Sequence, residues 1–189
     1  MNRWVCVKKR ALFYGNEKDH ALSDQIYASL HSKVPISFYN QDVLMEAGED
    51  TQIELIETDH LKSLYADRTI IYFKNKCDLH PLKTISGDIT AVVNANYRRQ
   101  LAFVSRHHLK TVTYGFSNRD TVTFSSRDDE RLVISLQRSV YTLDGVLIDP
   151  MEIPCRISGE RNDLSILAYV AILILLGELR LEEDGYLNL

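Results

Sequence analysis

The chain is poor in the residues that mark the simplest functional classes. Its three cysteines, Cys6, Cys77 and Cys155, are odd in number, far apart and without a Cys-x-x-Cys spacing. That argues against a disulfide framework or a zinc site and favours a reducing, cytoplasmic setting. Basic charge is scarce as well: 22 Lys and Arg stand against 26 Asp and Glu, a formal net charge of -4. Phosphate neutralisation needs a cationic surface, so no nucleic-acid partner is expected. The short runs Lys8-Lys9-Arg10 and Arg98-Arg99 read as solvated ends of elements. Long apolar runs are missing too. The N-terminal ten residues lack the apolar stretch of a signal peptide. The run Ile166 to Leu176 is about half of the ~20 residues that span a bilayer, so a buried core helix and no membrane partner are expected. No Gly-x-Ser-x-Gly elbow occurs. The six histidines, His20, His31, His60, His80, His107 and His108, show no metal-ligand spacing. No catalytic residue and no metal ligand is assigned.

What is present is ordinary for a globular protein: 189 residues, 45% hydrophobic and 25% charged, enough for one domain with a substantial core. The first half alternates strand-like and helix-like signals. Ala11 to Tyr14 predicts a strand, and Ala21, Leu22, Ile26 and Leu30 a helix. Val34 to Tyr39 and Ile53 to Ile56 predict strands, with a short helical stretch around Leu61–Leu64. Thr69 to Phe73 and Ile89 to Val93 are β-branched or apolar on successive residues, which suits strands covered on both faces. A helix from about Tyr97 to His108 and a strand at Thr111–Tyr114 follow. Alternation of this kind predicts a parallel sheet flanked by helices.

From Thr121 the texture changes to short strands around Thr121–Phe124, Leu132–Leu136, Val140–Leu143 and Met151–Cys155. Asp144-Gly145 and Asp128-Asp129 lie at the turns between them. A helix from about Asn162 to Leu179 closes the chain, with Asn162 or Asp163 as its cap. The expected architecture is one α/β domain over 1–189. Its parallel part covers 1–117, a small antiparallel sheet 118–158, and a return helix with its tail 159–189.

Three segments in this order resemble the central, ATP-binding domain of Mur ligases. Ala91-Val92-Val93-Asn94-Ala95-Asn96 resembles the family strand ending in Asn-Ala-Asp-Asp. Lys110 to Ser117 resembles the later strand ending in Thr-Tyr-Gly. Ile157-Ser158-Gly159-Glu160-Arg161-Asn162, with the apolar helix after it, resembles the Gly-x-His-Asn turn and its helix. In the first half, Tyr14-Gly15-Asn16-Glu17-Lys18-Asp19-His20 falls where the family has its phosphate loop, Gly-Thr-Asn-Gly-Lys-Thr-Thr. Glu54 to Glu57 falls on a family strand that ends in a carboxylate, and Lys74-Asn75 ends the strand that follows.

The resemblance implies a residual nucleotide site at Asn16, Lys18, Asn94 and Asn162, with ATP and Mg as cofactors if that site survives. The departures weigh against turnover. Glu17 stands for a glycine of the loop and places a carboxylate toward the triphosphate, a close like-charge repulsion of several kcal/mol on the order given by Coulomb's law. Asp19 stands for the hydroxyl residue, and Arg161 for the histidine. The bland alternative is a capped helix start with solvated charges, with Asn94 ending a strand and Asn162 capping a helix. The chain ends ten residues after Leu179, so the family's flanking N- and C-terminal domains are expected to be absent. An amide ligase must hold all its reactants in attack geometry. The expected function is therefore a degenerate, non-catalytic binding or regulatory domain linked to peptidoglycan precursors, self-associating or held by a protein partner. The alternative is an ATP-binding enzyme or a subunit of a UDP-N-acetylmuramoyl peptide ligase.

Overall fold

The computed structural model describes residues 8–16, 18–128, 131–157 and 162–189. The chain divides into two compact units, Met1–Thr90 and Ala91–Leu189.

The first unit contains β1 (Lys9–Tyr14), α1 (Ala21–Leu30), β2 (Ile36–Tyr39), β3 (Leu44–Ala47), β4 (Ile53–Thr58), β5 (Ser63–Tyr65), β6 (Thr69–Phe73) and β7 (Thr84–Ser86). Its strands lie in the order β6-β1-β4-β2-β3. Neighbours are parallel except for β3, which returns antiparallel on β2 at the edge. Every residue of β6 is buried, as its unbroken run of β-branched and aromatic side chains requires. α1 turns Leu22, Ile26 and Leu30 inward, four residues apart, on the one face that helical periodicity supplies.

One expectation fails in this unit. The stretch around Leu61–Leu64, expected as helical, instead runs into β5, which pairs in parallel with β7 and sets Leu64 beside Ile85. Four residues are too few to nucleate a helix that has no face to bury, and a strand partner satisfies their backbone instead. The close return after β7 needs Gly87, at φ +118°, where a Cβ would lie 1.9 Å from the Ala66 carbonyl oxygen.

The division falls within β8 (Ile89–Asn94), which is followed by α2 (Arg98–Arg106), β9 (Lys110–Tyr114), β10 (Val122–Arg127) and β11 (Arg131–Leu136). Then come β12 (Val140–Tyr141), β13 (Leu147–Ile148), β14 (Met151–Arg156), α3 (Asp163–Leu176) and β15 (Leu187–Asn188). The order is β8-β9-β10-β11-β14-β15. β10, β11 and β14 form the expected antiparallel strands, joined to β9 by the parallel pair Tyr114–Val122. They therefore extend the sheet. β12 and β13 form a separate hairpin, whose turn uses Gly145 at φ +79°.

α3 is buried without interruption from Ile166 to Leu176 and packs on β9 and β10. It stops three residues before the expected Leu179. Gly177 takes the left-handed conformation, and the amides of Gly177 and Glu178 return to Ile174 and Leu173. No helix among the described residues is long and apolar enough to cross a membrane. Among the described residues the fold is α/β, a mostly parallel mixed sheet with three helices and small extra sheets.

Candidate functional site

The turn from β1 into α1 is the place where a phosphate loop would lie. β1 runs between β4 and β6, all three parallel, so the C-terminal ends of three strands meet beneath residues 15–20. A phosphate cradle needs backbone N–H groups free to point at the ligand. Here they are spent inside the protein. Gly15 N donates to Thr58 O at 3.0 Å, Asn16 N to Lys76 O at 2.8 Å and Asp19 N to Asn16 O at 3.1 Å. Lys18 N donates to the Asn16 side-chain oxygen at 3.2 Å. Gly15, at φ +136°, serves the same closure. A Cβ on it would meet Lys76 O at 2.8 Å and the Cβ atoms of Cys77 and Lys74 at 2.9 Å, so the glycine admits a neighbouring strand end rather than a ligand.

Beneath the turn sits a buried charge cluster. Glu57, the last inward residue of β4, carries a side chain only 2% exposed, and so does Lys74, the first residue after β6. Their ion pair measures 3.1 Å. Lys74 Nζ also donates to Asn16 O at 3.1 Å, tying the turn to the sheet. The other Glu57 oxygen is hydrogen-bonded to His20 Nδ1. The hydroxyl of buried Ser23 reaches both Glu57 Oε1 and the His20 carbonyl. His20 is the residue before α1 and Ser23 lies in its first turn. The Glu57 carboxylate therefore occupies the positive end of the helix dipole, where an anion is stabilised. Tyr14 closes the other side by donating its hydroxyl to Asp78 O at 2.7 Å. Burial, together with the nearby Cys77 and Asp78, holds that hydroxyl's pKa above its ordinary value.

Asn16 and Lys18 lie in this turn of the first unit. The Asn16 side chain caps the Lys18 amide, and Lys18 itself is exposed. Asn94 and Asn162 belong to the second unit. Asn94 ends β8 almost fully buried, and its Oδ1 accepts from Asn96 N at 2.9 Å. That bond fixes the amide's orientation, and Nδ2 has no hydrogen-bond partner among the described residues. Asn162 caps α3, its Oδ1 accepting from Leu164 N at 3.0 Å and Ser165 N at 3.3 Å. Glu17, Gly159, Glu160 and Arg161, on which part of the expected loop and turn rest, lie outside the described residues.

This arrangement does not fit a nucleotide triphosphate at the β1–α1 turn. The amides of Gly15, Asn16, Lys18 and Asp19 are already donated, and the Glu57 carboxylate stands at the helix terminus. No group of three or more metal-ligating side chains occurs among the described residues. Burial pushes the Cys155 thiol up to about 12, which removes it as a nucleophile at neutral pH. In the sequence Glu57 stands out only as a strand-ending carboxylate, and Ser23 carries no signal of its own. A signal existed for Glu57: Ile53, Leu55 and Glu57 are the three buried positions of β4, so its alternation points the carboxylate inward with the two aliphatic residues.

Solved structures share the fold. MurF ligase from Thermotoga maritima, in complex with ADP, superposes with a TM-score of 0.56 at 11% identity, covering 91% of this chain and 46% of that one. UDP-N-acetylmuramate:L-alanyl-gamma-D-glutamyl-meso-diaminopimelate ligase from Neisseria meningitides gives 0.57 at 10%, covering 93% and 64%. A murein peptide ligase from Psychrobacter arcticus gives 0.55 at 11%, covering 90% and 44%. This chain thus spans between 44% and 64% of the length of these proteins. No family model and no curated protein matches the sequence. The fold is Mur ligase-like.

Proposed function

We propose that this chain is a non-catalytic, cytoplasmic module on a Mur-ligase-like fold, binding or regulating a partner in peptidoglycan-precursor metabolism. The observation that carries this reading is the β1–α1 turn. Glu57 sits at the helix terminus as a built-in anion, and Lys74 holds the turn down from below. Phosphoryl transfer works through positioning and charge neutralisation. A turn whose amides face its own carbonyls supplies neither. The link to peptidoglycan precursors rests on fold analogy with the three ligases. A protein partner, a second copy of the chain included, is favoured by the β12–β13 hairpin. Tyr141 and Leu147 stand opposite one another there, 65% and 48% exposed, with Val146 at 56% beside them.

Thermal unfolding with millimolar ATP and magnesium tests the reading. A ligand at a hundred times its Kd stabilises a protein by about 2.7 kcal/mol, so a working site gives a concentration-dependent rise in Tm. No rise is expected. A rise that grows with ATP would overturn the non-catalytic reading. A rise with a UDP-N-acetylmuramoyl peptide alone would give the module its ligand.

A further inference from the structure

β3 forms one edge of the first unit's sheet among the described residues. It is the last strand in its order and, among the described residues, has β2 as its only neighbour. The two run antiparallel with Tyr39 opposite Leu44, Phe38 opposite Met45 and Ser37 opposite Glu46. Asn40 N donates to Val43 O, which sets the phase of the ladder. Antiparallel pairs alternate between hydrogen-bonded and non-bonded, so Val43, Met45 and Ala47 face β2. The N–H and C=O groups of Leu44 and Glu46 then point outward along the open edge. At the tip, Tyr39, Val43 and Leu44 are 44%, 47% and 64% exposed, an apolar step beside four outward backbone groups.

Charge narrows the occupant. From Val34 to Leu61 the sequence holds seven Asp and Glu and no Lys or Arg, whereas the rest of the chain has more base than acid, 22 against 19. Glu54 is paired with Lys8 and Arg10, and Glu57 with Lys74. Asp42, Glu46, Glu49 and Asp50 are exposed and make no ion pair among the described residues. A second copy pairing here would bring four carboxylates from each chain to one seam. Like charges facing across strands are destabilising, and edges charged this way resist self-pairing. A basic strand meets the opposite situation.

We infer that β3 takes up an extended, lysine- or arginine-rich segment of another protein by strand addition. Main-chain bonds to Leu44 and Glu46 supply the pairing. Glu46, on the face shared with Leu44 and Tyr39, selects basic side chains there, and Val43 and Met45 on the opposite face receive the apolar residues between them.

The test is a fluorescence-anisotropy titration of the full chain with a labelled octapeptide alternating lysine and valine. Three controls accompany it: the glutamate–valine analogue, and the lysine–valine peptide with alternate amides N-methylated in either phase. Saturable binding of the basic peptide is expected, at least tenfold weaker for the glutamate analogue and for the methylation phase that faces the edge. Glu46→Lys and Leu44→Pro should each weaken binding at least tenfold. The Leu44 N–H makes no bond to β2, and edge strands accept proline, so Leu44→Pro should leave the melting temperature nearly unchanged. The N-methylated peptides report on the unmodified chain should either variant fail to fold. Equal binding of both methylated peptides and the parent would overturn strand addition. So would no binding, binding indifferent to Glu46→Lys, or self-association abolished by Leu44→Pro.

Discussion

The beginnings of α1 and α3 solve one problem in opposite ways. Each helix opens with amides that have no partner inside the helix. At α3 the solution is local: Asn162 turns its own oxygen onto the amides two and three residues ahead. At α1 the residue before the helix makes no side-chain cap to the backbone. The positive terminus there is answered by Glu57, from a strand 37 residues further along the chain than His20. Glu57 in turn is paired with Lys74, the first residue past β6. A local cap stabilises one helix. A remote one binds the helix to the sheet and shuts the turn between them, which is why it bears on function.

The largest expected effect breaks the remote arrangement. Lys74→Met leaves the Glu57 carboxylate buried without its ammonium, and removing one partner of a buried pair costs about 3–5 kcal/mol. Chemical denaturation should show that loss. Lys74→Met combined with Glu57→Leu should recover most of it, because a well-packed apolar pair often matches a buried ionic one. If the single variant is as stable as the parent, the turn is not held by this pair.

The local arrangement should break more gently. Asn162→Ala is expected to cost about 1 kcal/mol, a fall in melting temperature of roughly 2–4 °C for a chain of this size. A loss as large as that of Lys74→Met would erase the contrast between the two helix starts.

The smallest effect sharpens the contrast between buried and surface charge in the first unit. Burial pushes the Glu54 carboxyl up, but hydrogen bonds from Arg10 and Lys8 outweigh it and hold its pKa below the usual range. A depressed carboxylate stabilises the folded state above its unfolded pKa, and the contribution fades as pH falls through the folded value. Glu54→Gln should therefore cost something near neutrality and nothing in strong acid. Arg10 and Glu54 are partly exposed, so solvent screening limits the difference to less than about 1 kcal/mol. Unfolding of both proteins across pH 2–7 is the measurement, with a pH-independent difference as the outcome that fails.

Particular elements explain how much was legible in the sequence. β6 and α3 announce themselves by composition, as does the Asn162 cap by residue type, because each depends on neighbours within a few positions. β5 is not legible in the sequence, since a three-residue strand has no pattern of its own and exists only through β7. β3 was passed over for the same reason, as its sequence, Leu-Met-Glu-Ala, gains meaning only beside β2. The candidate site was half visible: Gly15 to His20 could be placed between strand and helix, but not what lies beneath them.

The sequence by itself determined the α/β order, the buried helix and its cap, and the absence of a nucleophile motif. These follow from short-range periodicity and residue chemistry, which need no knowledge of the chain's path. Only the tertiary structure decided that Glu57, Lys74, His20 and Ser23 meet under one turn, that the amides of Gly15, Asn16 and Asp19 are donated within the protein, and that β3, inside an acidic stretch, lies at an edge among the described residues. Those facts depend on which distant strands become neighbours, and that choice is made by packing the whole sheet rather than by any one segment.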